Sequence, residues 1–257
     1  MTTPRVPPLV PVGVVVPAHD EEALLGHCLA GLRAAAATVA DSATVRVLVV
    51  ADACSDRTAD LARAHGAGVL SLAACNVGRA RAAGAGLLLD DVAWLATTDA
   101  DSVVPPDWLA AQLAARAGGA EAWVGTVEVV DWTGWPVTVP ARYRAAYEAG
   151  DPHRHVHGAS LGVAVPAYRG VGGFPPFTTG EDVALVERLD RTGRRVVRDR
   201  AHPVTTSART EGRAPDGFAG HLRGLATRVI PAASGTTGSS SRPAMRREDD
   251  GPAARIS

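Results

Sequence analysis

From Val12 to Asp101 the chain repeats one unit: a short apolar run, an acidic or polar turn, then apolar positions at helical spacing. Val12–Val16, closed by Pro17, reads as a buried strand. After Asp20, placed to cap, Leu24, Leu25, Cys28, Leu29 and Leu32 recur on one helical face, with Glu21 and Glu22 in the first turn. Val45–Val50 predicts a second strand, followed by a turn over Asp52–Asp56 and a helix to about His65, stopped by Gly66. Val69–Leu72 is a third strand, Arg79–Leu89 a helix and Trp94–Thr98 a fourth strand. Such alternation means βαβ units, a mostly parallel sheet and helices on both faces.

Beyond Asp101 the pattern loosens. It predicts a helix over Pro106–Arg116, a mixed-sheet strand over Trp123–Val130, and a loop with a short helix over Gly134–Gly150. His157–Val165 reads as a strand, Glu181–Arg191 as a helix ended by Gly193, and Arg195–Val197 as a short strand. The expected organisation is an extension over 1–7, one α/β domain over 8–230, and a disordered tail over 231–257, where core-forming residues nearly vanish.

Composition narrows the chemistry. All 26 basic residues are arginine, which removes Schiff-base and P-loop lysine mechanisms. A net charge of −1 gives no basic field for nucleic acid. Cys28, Cys54 and Cys75 form no CxxC pair and read as free thiols of a reducing cytoplasm. No run of ~18 apolar residues offers a membrane span, so membrane contact would be peripheral.

In open α/β sheets, ligands sit beyond the carboxyl ends of the strands. Those ends carry Pro17-Ala18-His19-Asp20-Glu21, Asp52-Ala53-Cys54-Ser55-Asp56 and Asp99-Ala100-Asp101. No GxGxxG follows the first strand, which disfavours a nicotinamide or flavin Rossmann domain. Asp99 and Asp101, at i and i+2 in a turn, can both approach one divalent cation completed by water and a diphosphate; the alternative is a turn using Asp for local hydrogen bonds.

From Val12 to about Arg209 the chain carries, in order, VVVPAHDEEALL, VVADACSDRTADLA, NVGRARAAGAG, TTDADSVVPPDWL, GASLGVAVPAYRGVGGF and GEDVALVERL. With these markers in this order the sequence resembles the family-2 glycosyltransferases of GT-A fold. The pattern HGAxLGV…GGF…GEDVAL is similar to that of actinobacterial-looking members. The resemblance implies a nucleotide-diphosphate-sugar donor, an unidentified hydroxyl acceptor, and Mn²⁺ or Mg²⁺. It places Pro17, His19 and Glu21 along the nucleoside pocket, Asp52 at the base or ribose edge, and Arg79 or Arg81 near the nucleotide. Where the family usually has two adjacent acids, this chain has Ala51-Asp52. Asp99, with Ala100 beside it, would contact ribose or metal, and Asp101 would be the principal metal ligand. Asp182 would be the general base of an inverting displacement, and Glu181 would bind the acceptor or hold Asp182 in place. Without the resemblance, acids in a first turn are explained by the helix dipole.

Gly158 would let backbone approach the donor sugar, or mark a strand bulge. His153, His155 and His157 alternate, and on a strand would share one face; His157 is the one expected near the acceptor. His202 lies where some GT-A enzymes supply a third metal ligand, and equally reads as a surface histidine. Trp132, Trp135 and Tyr143 could stack on an acceptor sugar or pack in the core. Two rival functions remain: a catalytically silent nucleotide-sugar-binding module and a sugar-nucleotidyltransferase. The latter typically wants a glycine-rich triphosphate loop and a lysine, and the chain has neither.

Overall fold

The structure, a computed structural model, describes residues 8–149, 155–210 and 218–227. The expected extension over 1–7, the tail over 231–257 and His153 lie outside the described residues.

Among the described residues the central sheet has seven strands: β1 (Val10–Ala18), β2 (Ala43–Asp52), β3 (Gly68–Leu72), β4 (Trp94–Thr97), β6 (Ala122–Val124), β8 (Leu161–Ala164) and β9 (Val196–Arg198). They lie side by side in the order β3-β2-β1-β4-β8-β6-β9. β1, β2, β3 and β4 run parallel, as do β6 and β9, while β8 is antiparallel to both its neighbours. A second sheet, β5-β10-β7, joins β5 (Ser102–Val103), β10 (Val204–Thr206) and β7 (Val127–Glu128). The helices are α1 (Leu25–Thr38), α2 (Thr58–Ala64), α3 (Val77–Leu88), α4 (Trp108–Ala117), α5 (Val139–Ala149), α6 (Val165–Gly170), α7 (Glu181–Arg191) and α8 (Phe218–Thr227).

The period-2 pattern of β1 builds two cores. Val12, Val14 and Val16 pack with Leu25, Leu29 and Leu32 of α1 and Trp108 and Leu109 of α4. Val15 joins the opposite core with Ala80, Ala85 and Leu88 of α3 and Leu185 and Leu189 of α7. Because β1, β2 and β4 are parallel and in register (Ala18 opposite Ala51, Val15 opposite Thr97), their three acidic turns emerge at one edge.

Four local expectations change. α1 begins at Leu25 because Asp20 is spent elsewhere: its carboxylate accepts N–H bonds from Ser55 (2.7 Å) and Asp56 (3.3 Å). The stretch Trp123–Val130 splits at Gly125, whose N–H donates to Ser160 O (2.8 Å), and feeds both sheets. The segment from His157 does not start as strand, because a turn closed by Ser160 N–H to His157 O (2.9 Å) delays β8 to Leu161. Val165 then opens α6, with proline in its first turn.

Candidate active site

Beyond the carboxyl ends of β1, β2 and β4 lies a cleft of about 830 Å³, within the size range of small-molecule sites. Pro17, His19, Glu21, Asp52, Asp99, Ala100, Asp101, His157, Gly158, Glu181 and Asp182 all line it. Arg79, Trp132 and His202 are not among its lining residues.

Helix phase explains the first exclusion. Asn76 caps α3 by accepting the Arg79 N–H (2.9 Å), which puts Arg81 on the buried face with Ala80, Gly84 and Ala85 and turns Arg79 outward. Arg81 is the residue that enters the site. Only 3% exposed, its guanidinium ion-pairs with both Asp99 and Glu181, and Nε donates to Thr97 Oγ1 (3.3 Å). One cation therefore ties the end of β4 to the start of α7.

Trp132 packs against Tyr143 (centroids 5.4 Å apart) and donates Nε1–H to Val129 O, so its ring belongs to a small aromatic core with α5 and α8. His202 Nδ1 pairs with Asp199 (2.9 Å) and Nε2 faces Asp107 (3.7 Å); this local acidic pair holds the ring. Asp52 lines the cleft, but its carboxylate accepts N–H bonds from Ala74 (2.6 Å), Cys75 (3.0 Å) and Asn76 (2.8 Å). It shapes the loop before α3. The His19 ring N–H donates to the Asp52 carbonyl (2.6 Å) and joins β1's end to β2's.

Asp182 sits in the first turn of α7, whose N-cap Gly180 has φ 80°, a conformation that side chains resist. Its Oδ2 accepts the Gly158 N–H (2.5 Å) and Oδ1 the Val183 N–H (2.8 Å). Gly158 meets a steric demand: a Cβ there would lie 2.5 Å from Arg81 Cζ. His157, beside it, has Nε2 3.3 Å from Tyr147 Oη. Burial pulls the His157 imidazole down to about 4, against the opposing pull of Asp182, so the ring is neutral at pH 7.

No local sequence pattern points to Arg209, just after β10. Its Nη2 reaches Asp101 Oδ2 (2.5 Å) and Glu21 Oε1 (2.7 Å). In total the lining sets six carboxylates against the two guanidinium groups of Arg81 and Arg209. Burial pushes the Asp99 carboxyl up, against the lowering effect of Arg81 and with further raising by Asp101 and Asp182. Burial likewise raises Asp101, opposed by Arg209 and reinforced by Glu21. A hard divalent cation with oxygen ligands fits this excess of negative charge. A different trio, Asp20, Cys54 and Asp56, comes together outside the lining, where hydrogen bonds tie the β1 and β2 loops.

A model of glycosyl transferase family 2 matches residues 13–167, more than half of the chain. That span holds the β1, β2 and β4 ends and Gly158, and stops before Glu181 and Asp182. No curated protein sequence matches. Among solved structures, S. aureus TarS 1–349 in complex with UDP-GlcNAc is similar at TM-score 0.61 and 16% identity, covering 80% of this chain and 61% of that one. The longer TarS chain gives 0.58 and 16%, with 78% and 37% covered. Glucosyl-3-phosphoglycerate synthase from Mycobacterium tuberculosis, in complex with Mn²⁺, UDP and phosphoglyceric acid, gives 0.53 and 17%, with 77% and 71% covered. This chain therefore spans little more than a third of the longer TarS chain and under two thirds of TarS 1–349. The fold is the GT-A fold, with a mostly parallel central sheet.

Proposed function

The chain belongs to glycosyl transferase family 2, and from that membership we propose that it moves a sugar from a nucleoside-diphosphate donor to a hydroxyl acceptor with inversion. The observation that carries this reading is the convergence of Asp99, Asp101 and Asp182, from two separate elements, on one cleft.

The nucleoside lies against Pro17, His19 and Glu21 at the end of β1. Asp101 and Asp99 would hold Mn²⁺ or Mg²⁺, which when bound neutralises charge on the leaving diphosphate. Arg81 keeps Asp99 and Glu181 at fixed separation, so the donor side and the acceptor side are positioned by one buried side chain. Glu181 thus serves to position Asp182. Each Asp182 oxygen accepts one backbone N–H and retains a lone pair, and the carboxylate takes the acceptor hydroxyl's proton. Inversion follows from direct displacement, with the base opposite the departing diphosphate. Neutral His157 faces the acceptor side as a hydrogen-bonding group.

The test is a panel of UDP-, GDP- and TDP-sugars with Mn²⁺, read by nucleoside-diphosphate release with candidate hydroxyl acceptors and by thermal shift. A donor at 100 times its dissociation constant adds ~2.7 kcal/mol of stability. Donor-dependent stabilisation with release supports a transferase. Stabilisation without release across acceptors would instead favour a silent binding module.

A further inference from the structure

Arg209 holds Asp101 and Glu21 at once, and both ion pairs are made by the single nitrogen Nη2. A guanidinium has five N–H donors, so the geometry engages only part of its capacity. It also lines the cleft in which the donor reading puts a diphosphate. Asp101 Oδ2 is thus occupied by the chain's own cation. A divalent ion and Arg209 both need that carboxylate, and two cations sharing one carboxylate repel each other.

We infer that Arg209 is an internal counter-ion that metal binding displaces from Asp101, and that the freed guanidinium then holds the donor's diphosphate. This rests on the donor–metal reading above and adds to it an exchange of partners. Before binding, Arg209 offsets the repulsion between Glu21 and Asp101 across the cleft. After binding, the metal takes over that role at Asp101. Arg209 then meets phosphate oxygens, which match the guanidinium fork better than a single shared nitrogen does. Metal without donor must displace the arginine with no diphosphate to receive it, so the two ligands bind cooperatively.

The experiment titrates Mn²⁺ alone into the full chain, following free Mn²⁺ by electron paramagnetic resonance, for wild type, Arg209→Met, Arg209→Gln, Arg209→Lys and Asp101→Asn. Removing the competing charge in the Met and Gln variants should tighten Mn²⁺ binding on the order of tenfold, within the usual range of coupling between ligands. The Lys variant should stay near wild type. An arginine that serves only as a fixed counter-ion predicts this gain without the loss of nucleotide affinity that follows. With whichever of UDP, GDP or TDP binds wild type most tightly, Mn²⁺-dependent nucleotide affinity should fall on the order of tenfold in the Met and Gln variants. Unchanged or weaker Mn²⁺ binding in both neutral variants, or unchanged nucleotide affinity, overturns the exchange. If Asp101→Asn abolishes Mn²⁺ binding in that case, the metal reading stands and only the exchange falls. Undiminished Mn²⁺ binding by Asp101→Asn removes the metal reading and the exchange with it.

Discussion

The Gly158 N–H points at Asp182 Oδ2 from 2.5 Å, so the carboxylate at the start of α7 is aimed by a backbone group in the turn before β8. The same glycine leaves room for Arg81, which pairs with Asp99 and Glu181. A side chain at 158 would therefore disturb both the donor side and the acceptor side of the proposed transfer.

Gly158→Ala puts a Cβ into the Arg81 guanidinium, which is buried and cannot swing to solvent. The expected cost is about 1–3 kcal/mol of stability, typical of overpacking. Turnover should fall further than the stability loss explains, because Asp99 and Glu181 shift with Arg81. Urea unfolding and initial rates on the same preparation check this. Wild-type stability in the variant would mean that the turn relaxes freely.

Asp52→Asn replaces a carboxylate that accepts three backbone N–H groups with an amide that also carries donors. Stability should fall by about 1 kcal/mol as these part-buried donors lose the charged acceptor they share. Donor affinity should fall only as far as the 74–76 loop loosens. A large affinity loss with unchanged unfolding would return Asp52 to direct contact with the nucleoside.

His157 gives a pH signature. Its pKa of about 4 in the folded protein lies below the ordinary 6.5, so between those values the unfolded chain binds the proton and the folded chain does not. This contribution to stability is present above about 6.5 and lost as pH falls towards 4. From about pH 7 to about pH 5 it amounts to roughly 2 kcal/mol, at about 1.4 kcal/mol per pH unit. His157→Gln should flatten the acid limb of a urea-unfolding series by that amount. Equal slopes for the two proteins would show that the imidazole takes up its proton freely in the fold.

The strands and helices up to Trp94 were legible because each apolar run is continuous and each helix shows a clear face. The strand-end acids were legible for the same reason, since parallel strands deliver their carboxyl ends to one edge. What escaped depends on contacts distant in sequence. Asp20 looks like a cap until the Ser55 and Asp56 N–H groups are brought beside it. Arg79 and Arg81 are two residues apart, and contacts distant in sequence, with Asp99 and Glu181, hold Arg81 inward while Arg79 faces out. Arg209 meets Asp101 across 108 residues and sits in no periodic segment, so no local pattern points to it. β10 and α8 went unpredicted beside a polar, glycine- and arginine-rich stretch that masks their apolar positions.

In the proposed transfer Asp101 serves the donor and metal, and Asp182 takes the acceptor's proton. Calorimetric donor titration with Mn²⁺, paired with single-turnover rates, tests that division in Asp101→Asn and Asp182→Asn. Asp101→Asn should lose donor affinity and turnover together. Asp182→Asn should bind donor like wild type while its rate falls by roughly 10²–10⁴, the usual worth of a positioned base. Near-normal turnover by Asp182→Asn, with at most ~1 kcal/mol of stability lost from the first turn of α7, would contradict the account.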